Sequence, residues 1–189
     1  MDSASLLADL RNATLRRDWN DCQAAASALL AMLEPTTALR LARAEVRKRL
    51  PSFARQYLGE AWPQRILDGL EAWPDVLPQR PPIVDHDRPG ANNFHSAMEA
   101  LVDAHGQLLD SNARAEKATD AIAGAIMAEM DAQWGTRFPE RWELRHRAAR
   151  ADTIPEDPSV LFEMMNDPDI AVLDRESWMG VAEALEQVV

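Results

Sequence analysis

Cys22 to Leu33 read CQAAASALLAML, the clearest structural signal in the chain. The apolar residues of this stretch recur at i, i+3, i+4, i+7, i+8 and i+11, the spacing of one face of an α-helix. Cys22 shares this face with Leu29 and Leu33. We therefore expect its thiol to be buried and slow to react in the folded protein.

The helical period continues on both sides of this segment, for example at Ile122, Ile126, Met130 and Trp134. It predicts an all-α, compact bundle of roughly 7–10 helices. Several residues are expected to mark helix boundaries. Pro35 should follow the second helix, Pro51 should kink or restart the third, Asn92 or Asn93 should cap a long helix that Gly106 or residues 110–112 divide, Pro139 should start a basic helix, and Asp174 should cap the last helix.

Residues 74–92 interrupt the helical pattern, because they contain five prolines and Gly90. Proline has no backbone N–H to continue a helix, so this stretch predicts a long connection. At 189 residues the chain is expected to form a single helical domain, 1–189, with a possible subdivision into 1–73 and 92–189.

Negative charge is concentrated in residues 151–189. This tail has ten acidic residues and one Arg175, so it supplies nine of the eleven net negative charges. It also contains apolar residues at helical spacing, such as Val181 and Leu185, and is therefore expected to fold and to present an acidic face. Such a face attracts a basic partner and repels nucleic acid and anionic membranes.

Two groups of arginines balance part of this charge. Arg40, Arg43 and Arg47 share one predicted helix face, and a second group lies between Arg137 and Arg150. Either group could bind phosphate, although overall acidity argues against nucleic acid. The favoured interpretation is that the arginines pair with the chain's own acids, including those of the tail.

No motif for catalysis or metal binding is recognisable. Asp85, His86 and Asp87 are read as a solvated turn, and nothing in the sequence brings His95 and His146 together. We therefore expect no cofactor, no metal and no enzymatic activity. A lone cysteine, no apolar stretch near the ~20 residues of a membrane span and no apparent signal peptide favour the cytoplasm.

The segment 41–73 reads LARAEVRKRLPSFARQYLGEAWPQRILDGLEAW. It resembles a helical family of immunity proteins from bacterial polymorphic toxin systems. The matching residues are Ala42, Val46, Leu50, Pro51, Phe53, Pro63, Arg65, Ile66, Glu71 and Ala72. Trp62 stands where that family has arginine, and residues 59–61 replace an Asp-rich turn. The resemblance implies a non-enzymatic cytoplasmic protein that blocks a cognate toxin.

The first hypothesis is therefore an immunity protein that covers the active site or substrate groove of a basic toxin. The alternatives are a helical adaptor or chaperone for a secreted effector, and a helical enzyme with a metal or carboxylate site. Tryptophan is enriched at binding hot spots, so Trp178 joins the tail acids as a candidate contact, although its spacing also predicts that it faces inward. The candidate partner-binding residues are Glu156, Asp157, Glu163, Asp167, Asp169 and Trp178.

Overall fold

The described part of the chain is built mainly of α-helices. The structure is a computed structural model that describes residues 2–56, 59–75, 78–83, 88–150 and 158–189, with the backbone alone for 145–150 and 158. Its helices are α1 (Ser3–Arg16), α2 (Trp19–Ala31), α3 (Pro35–Gln56), α4 (Trp62–Gly69), α5 (Ala91–Ala104), α6 (Ser111–Arg137), α7 (Pro139–Arg150), α8 (Pro158–Asn166) and α9 (Pro168–Glu186), and a 3₁₀ turn, Leu70–Ala72, follows α4. The described ranges contain no strand, so the all-α prediction is confirmed.

Helix α6 is the centre of the bundle. Its 27 residues extend about 40 Å, and it packs against α2, α3, α5, α7 and α9. The predicted core stripe is confirmed, because Ile122, Ile126 and Met130 are fully buried. Small residues let the neighbouring helix approach closely: a Cβ added at Gly124 would lie 3.1 Å from the Cβ of Ala97 on α5.

The predicted division before α6 is confirmed, and Asp110 caps the new helix by accepting a hydrogen bond from the Ala113 N–H at 2.8 Å. The predicted caps at Asn92 and Asn93 are wrong, because α5 already begins at Ala91, after Gly90. Gly90 has φ +80°, and a Cβ there would lie 2.3 Å from the carbonyl oxygen of Ala128. Only glycine fits this close approach of two backbones.

One of the two outcomes predicted for Pro51, a restart of the helix, is wrong, and so is the predicted cap at Asp174. Helix α3 continues through Pro51, and Phe53 beyond it is buried and stacks on Phe94 with ring centroids 4.6 Å apart. This packing lets the helix continue despite the hydrogen bond lost at proline. Helix α9 begins after Asp167, whose side chain accepts hydrogen bonds from two backbone N–H groups, so Asp174 lies inside the helix.

One core cluster contains residues from both sides of the proline-rich connection, from Leu6 on α1 to Leu185 on α9. Within the connection, residues 78–83 and 88–90 form no helix, as predicted. Trp73 closes the preceding segment onto α5 by donating its Nε1–H to the carbonyl oxygen of His105 at 2.8 Å.

Cys22 lies in this core, as predicted, with 1% of its surface exposed. Burial raises the pKa of the thiol to about 11, with nearby carboxylates adding to the rise and a contact to Thr14 Oγ1 at 3.7 Å opposing it. The reactive thiolate is therefore scarce at neutral pH.

We expect Cys22 to react with a thiol reagent at least about 100-fold more slowly in the native protein than in urea, because both burial and the raised pKa protect it. The measurement is the rate of colour release from an aromatic disulfide reagent at pH 8. Native labelling as fast as labelling of the unfolded chain would contradict the packing of α2.

Candidate partner-binding face

Ion pairs attach the acidic tail to the second arginine group. Arg141 on α7 pairs with Glu163 on α8, with Arg141 Nε 3.0 Å from Glu163 Oε2. Arg137 is at the end of α6, and its Nη1 lies 3.0 Å from Asp167 Oδ1 and 2.5 Å from Asp169 Oδ2. The interpretation that the arginines pair with the tail's own acids is confirmed for Arg137 and Arg141. The side chains of Arg145, Arg147 and Arg150 fall outside the described residues.

The first arginine group has other partners. Arg47 pairs with Asp68 and Glu71, each at 2.8 Å, and Arg43 donates to the carbonyl oxygen of Leu70 at 2.9 Å. These contacts join α3 to α4 and the turn after it. The expectation that the arginines pair with the chain's own acids therefore holds for Arg47, whose partners are not in the tail, whereas Arg43 binds a backbone carbonyl.

The tail pairs lie mostly at the surface, where an ion pair contributes roughly 0–1 kcal/mol. Side-chain exposure is 45% for Arg141 and 43% for Glu163. Arg137 carries one positive charge against the two carboxylates of Asp167 and Asp169. The pairs thus orient α8 and the start of α9 and leave a net negative charge accessible to a partner.

Trp178 faces inward, as its spacing predicts, and 1% of its surface is exposed. Its ring packs edge-on against Trp19, with centroids 5.4 Å apart. The indole belongs to the apolar face of α9, so no partner can touch it in this conformation. Trp178 is therefore corrected from a candidate contact to a core residue.

Two of the predicted acids, Glu156 and Asp157, fall outside the described residues, as do Asp85, His86 and Asp87. The side chain of His146, which the sequence analysis considered together with His95, also falls outside the described residues. The ring of His95 has its Nε2 2.9 Å from the carbonyl oxygen of Pro82.

Exposed apolar side chains adjoin the tail pairs, and the sequence analysis missed them. Phe162 is 70% exposed and Leu161 is 42% exposed, directly before Glu163 on α8. Val172, one helical turn after Asp169, is 49% exposed. The signal was in the sequence: Val160 and Met164 form the buried i, i+4 pair of α8, and the three residues between them, Leu161, Phe162 and Glu163, are exposed.

We call this surface the α8–α9 face. It consists of Leu161, Phe162, Glu163, Asp167, Asp169 and Val172. Arg137 and Arg141 border it from α6 and α7. Exposed apolar side chains close to charged groups are a usual feature of protein-binding surfaces.

No protein-family model, curated protein or solved structure matches this chain. Among the described residues, no three histidine, cysteine or carboxylate side chains are grouped to hold a metal ion. No helix in the same part of the chain is long and apolar enough to cross a membrane.

Proposed function

We propose that this protein binds a basic protein partner through the α8–α9 face. More specifically, we propose an immunity protein that neutralises a bacterial toxin in the cytoplasm. The observation that carries the proposal is the exposure of Phe162 and Leu161 beside the carboxylates of Glu163, Asp167 and Asp169. The resemblance of residues 41–73 to immunity proteins supports the more specific form.

The two kinds of side chain have different roles in this proposal. The carboxylates speed association with a cationic surface through long-range attraction, and this attraction weakens as salt rises. Phe162 then enters an apolar depression on the partner and slows dissociation, as aromatic anchors do. Lysines or arginines of the partner take over the carboxylates that Arg137 and Arg141 hold in the free protein.

An inhibitor and a chaperone differ in one measurable respect. An immunity protein abolishes the activity of its toxin at a one-to-one ratio, whereas an effector chaperone binds its client and leaves the client's active site working. Titrating the protein into a candidate toxin, with the product of the adjacent gene as the first candidate, while following toxin activity, separates these two alternatives.

We expect Phe162→Asp to weaken binding to that toxin at least about tenfold, because it removes the apolar anchor and adds a charge to the interface. Biosensor kinetics should show the loss mainly in the dissociation rate. The matched control is Leu108→Asp. Leu108 is fully exposed between α5 and α6, at the opposite end of the long helix.

The proposal fails if Phe162→Asp and Leu108→Asp bind the toxin as tightly as the wild type while all three proteins melt at similar temperatures. If Phe162→Asp weakens binding as expected, the rate at which the wild-type protein associates with the toxin should also fall about tenfold or more as salt rises from 50 to 300 mM.

A further inference from the structure

A pocket of about 260 Å³ with charged and polar side chains in its lining opens between α3 and α6. Arg55 and Gln56 of α3 face Glu129, Gln133 and Thr136 of α6 across it. This volume lies just below the usual range for drug-sized ligands, so it suits a small metabolite. The pocket contains none of the residues that make up the α8–α9 face. Arg137, which borders that face, is also one of the lining residues of the pocket.

Buried charges form the wall behind this pocket. Arg49, with 6% side-chain exposure, pairs with the fully buried Glu45 at 2.6 Å. Its Nε lies 3.6 Å from Glu129 Oε2 and has no hydrogen-bond partner. Lys48 pairs with the other oxygen of Glu45. Buried charges are costly unless they are compensated, and this network fixes Glu129 at the pocket wall with a defined orientation.

Ser52 connects the network to the opening. Its hydroxyl donates to Glu129 Oε1 at 3.2 Å and accepts from Arg55 Nη2 at 2.9 Å. Arg55 makes no ion pair with any residue that the structure describes. The side chain of Glu129 is 27% exposed, so its carboxylate remains reachable from the pocket. An accessible cation and an accessible anion thus lie on either side of one hydroxyl group.

Amide and hydroxyl groups complete the lining. Gln56 donates from Nε2 to Thr136 Oγ1 at 3.1 Å, and this contact closes one side of the pocket between the two helices. The Gln133 amide and the Ala132 methyl also line it. The lining therefore offers neutral hydrogen-bonding groups and an apolar surface beside the charges of Arg55 and Glu129. The third charged lining residue, Arg137, is paired with Asp167 and Asp169.

We propose that the pocket between α3 and α6 binds a small zwitterion, an α-amino acid being the simplest example, with the ligand carboxylate on Arg55 and the ligand ammonium on Glu129. A guanidinium is well suited to a carboxylate, because it can donate two parallel hydrogen bonds. A simple anion would be repelled by Glu129 and a simple cation by Arg55. The inference is independent of the partner proposed for the α8–α9 face.

The test is calorimetric titration of the full chain with L-alanine, L-serine, L-glutamine and L-leucine. Acetate and methylamine serve as ligands that carry one charge each. We expect at least one amino acid to bind with a Kd of about 1 mM or tighter, and both single-charge compounds to bind at least about tenfold more weakly. Glu129→Gln and Arg55→Gln should each weaken the best ligand about tenfold or more.

Arg65→Gln is the matched control, because Arg65 is exposed on α4 and outside the pocket, and it should leave the affinity unchanged. Arg55 is itself exposed, so its variant reports on binding even if Glu129→Gln disturbs the buried network. The proposal is overturned if none of the four amino acids binds at 10 mM. It is equally overturned if acetate binds as tightly as the best amino acid, or if Arg55→Gln leaves the affinity unchanged.

Discussion

Replacing Arg17 by alanine is expected to lower the free energy of unfolding by about 3 kcal/mol, because it leaves a buried carboxylate without its cation. Arg17 Nε lies 3.1 Å from Asp174 Oδ2, and the Asp174 side chain is only 2% exposed. The same guanidinium donates to the carbonyl oxygen of Met165. One side chain therefore joins the α1–α2 connection to both tail helices.

The unusual backbone conformation of Arg17 does not affect the comparison of the wild type with Arg17→Ala. Its φ of 58° is in the left-handed region, where alanine has the same Cβ and is strained to a similar extent. Urea unfolding of wild type and variant at pH 7 gives the difference directly. The matched control is Arg16→Ala, which removes an exposed pair with Asp21 and should cost less than about 1 kcal/mol.

The pH dependence of this loss provides a second check. Burial raises the pKa of Asp174 above its ordinary value, with Arg17 opposing the rise, so removal of Arg17 should raise it further. The protonated form carries no buried charge, so the deficit of Arg17→Ala should grow as pH rises from 5 to 7.5. A deficit that is constant with pH, or equal to that of Arg16→Ala, would contradict the role of the pair.

Acidification should destabilise the protein through His105, by about 2.5 kcal/mol between pH 7 and 4.5. His105 is 1% exposed, and its Nδ1 lies 2.7 Å from the carbonyl oxygen of Leu101. The pKa of His105 is lowered from 6.5 to about 4, mainly by burial; the hydrogen bond to Leu101 opposes this shift, and the positive charges of Arg43 and Arg114 contribute to it.

The sign follows from proton uptake. Below pH 6.5 the unfolded chain binds a proton at this histidine, whereas the folded protein binds it only near pH 4, so stability is lost as pH falls through this window. His105→Asn keeps a donor for Leu101 and removes the titration. Urea midpoints of wild type and variant should therefore converge between pH 6.5 and 4.5. Parallel curves would show that His105 does not titrate in this window.

Local patterns predicted much of the fold. The face shared by Cys22 and Leu29, the core stripe of α6 and the inward position of Trp178 depend on spacing within one helix, and all three are confirmed. Asp174 was misplaced because an acid before an apolar run is typical of a helix start. Inside α9 the same residue is tolerated because Arg17 neutralises it.

Contacts distant in sequence could not be predicted in this way. Arg17 and Asp174 are 157 positions apart, and Ser52 and Glu129 of the pocket are 77 positions apart. Periodicity shows which face of a helix is buried and does not show which helix covers it. For the same reason, the sequence predicted that arginines would pair with the tail's acids, whereas the individual pairs of Arg137 and Arg141 followed only from the packing of the helices.

The burial of Cys22 has a practical consequence for measuring how the protein meets a partner. Because the native thiol is shielded, a second cysteine introduced at the surface can be modified selectively without removing Cys22. Gly180 on α9 is suitable, since a Cβ there meets no atom within 4 Å. A fluorescent probe attached through Gly180→Cys would sit on the outer side of α9, and its emission would report directly on whether an incoming molecule covers the tail helices.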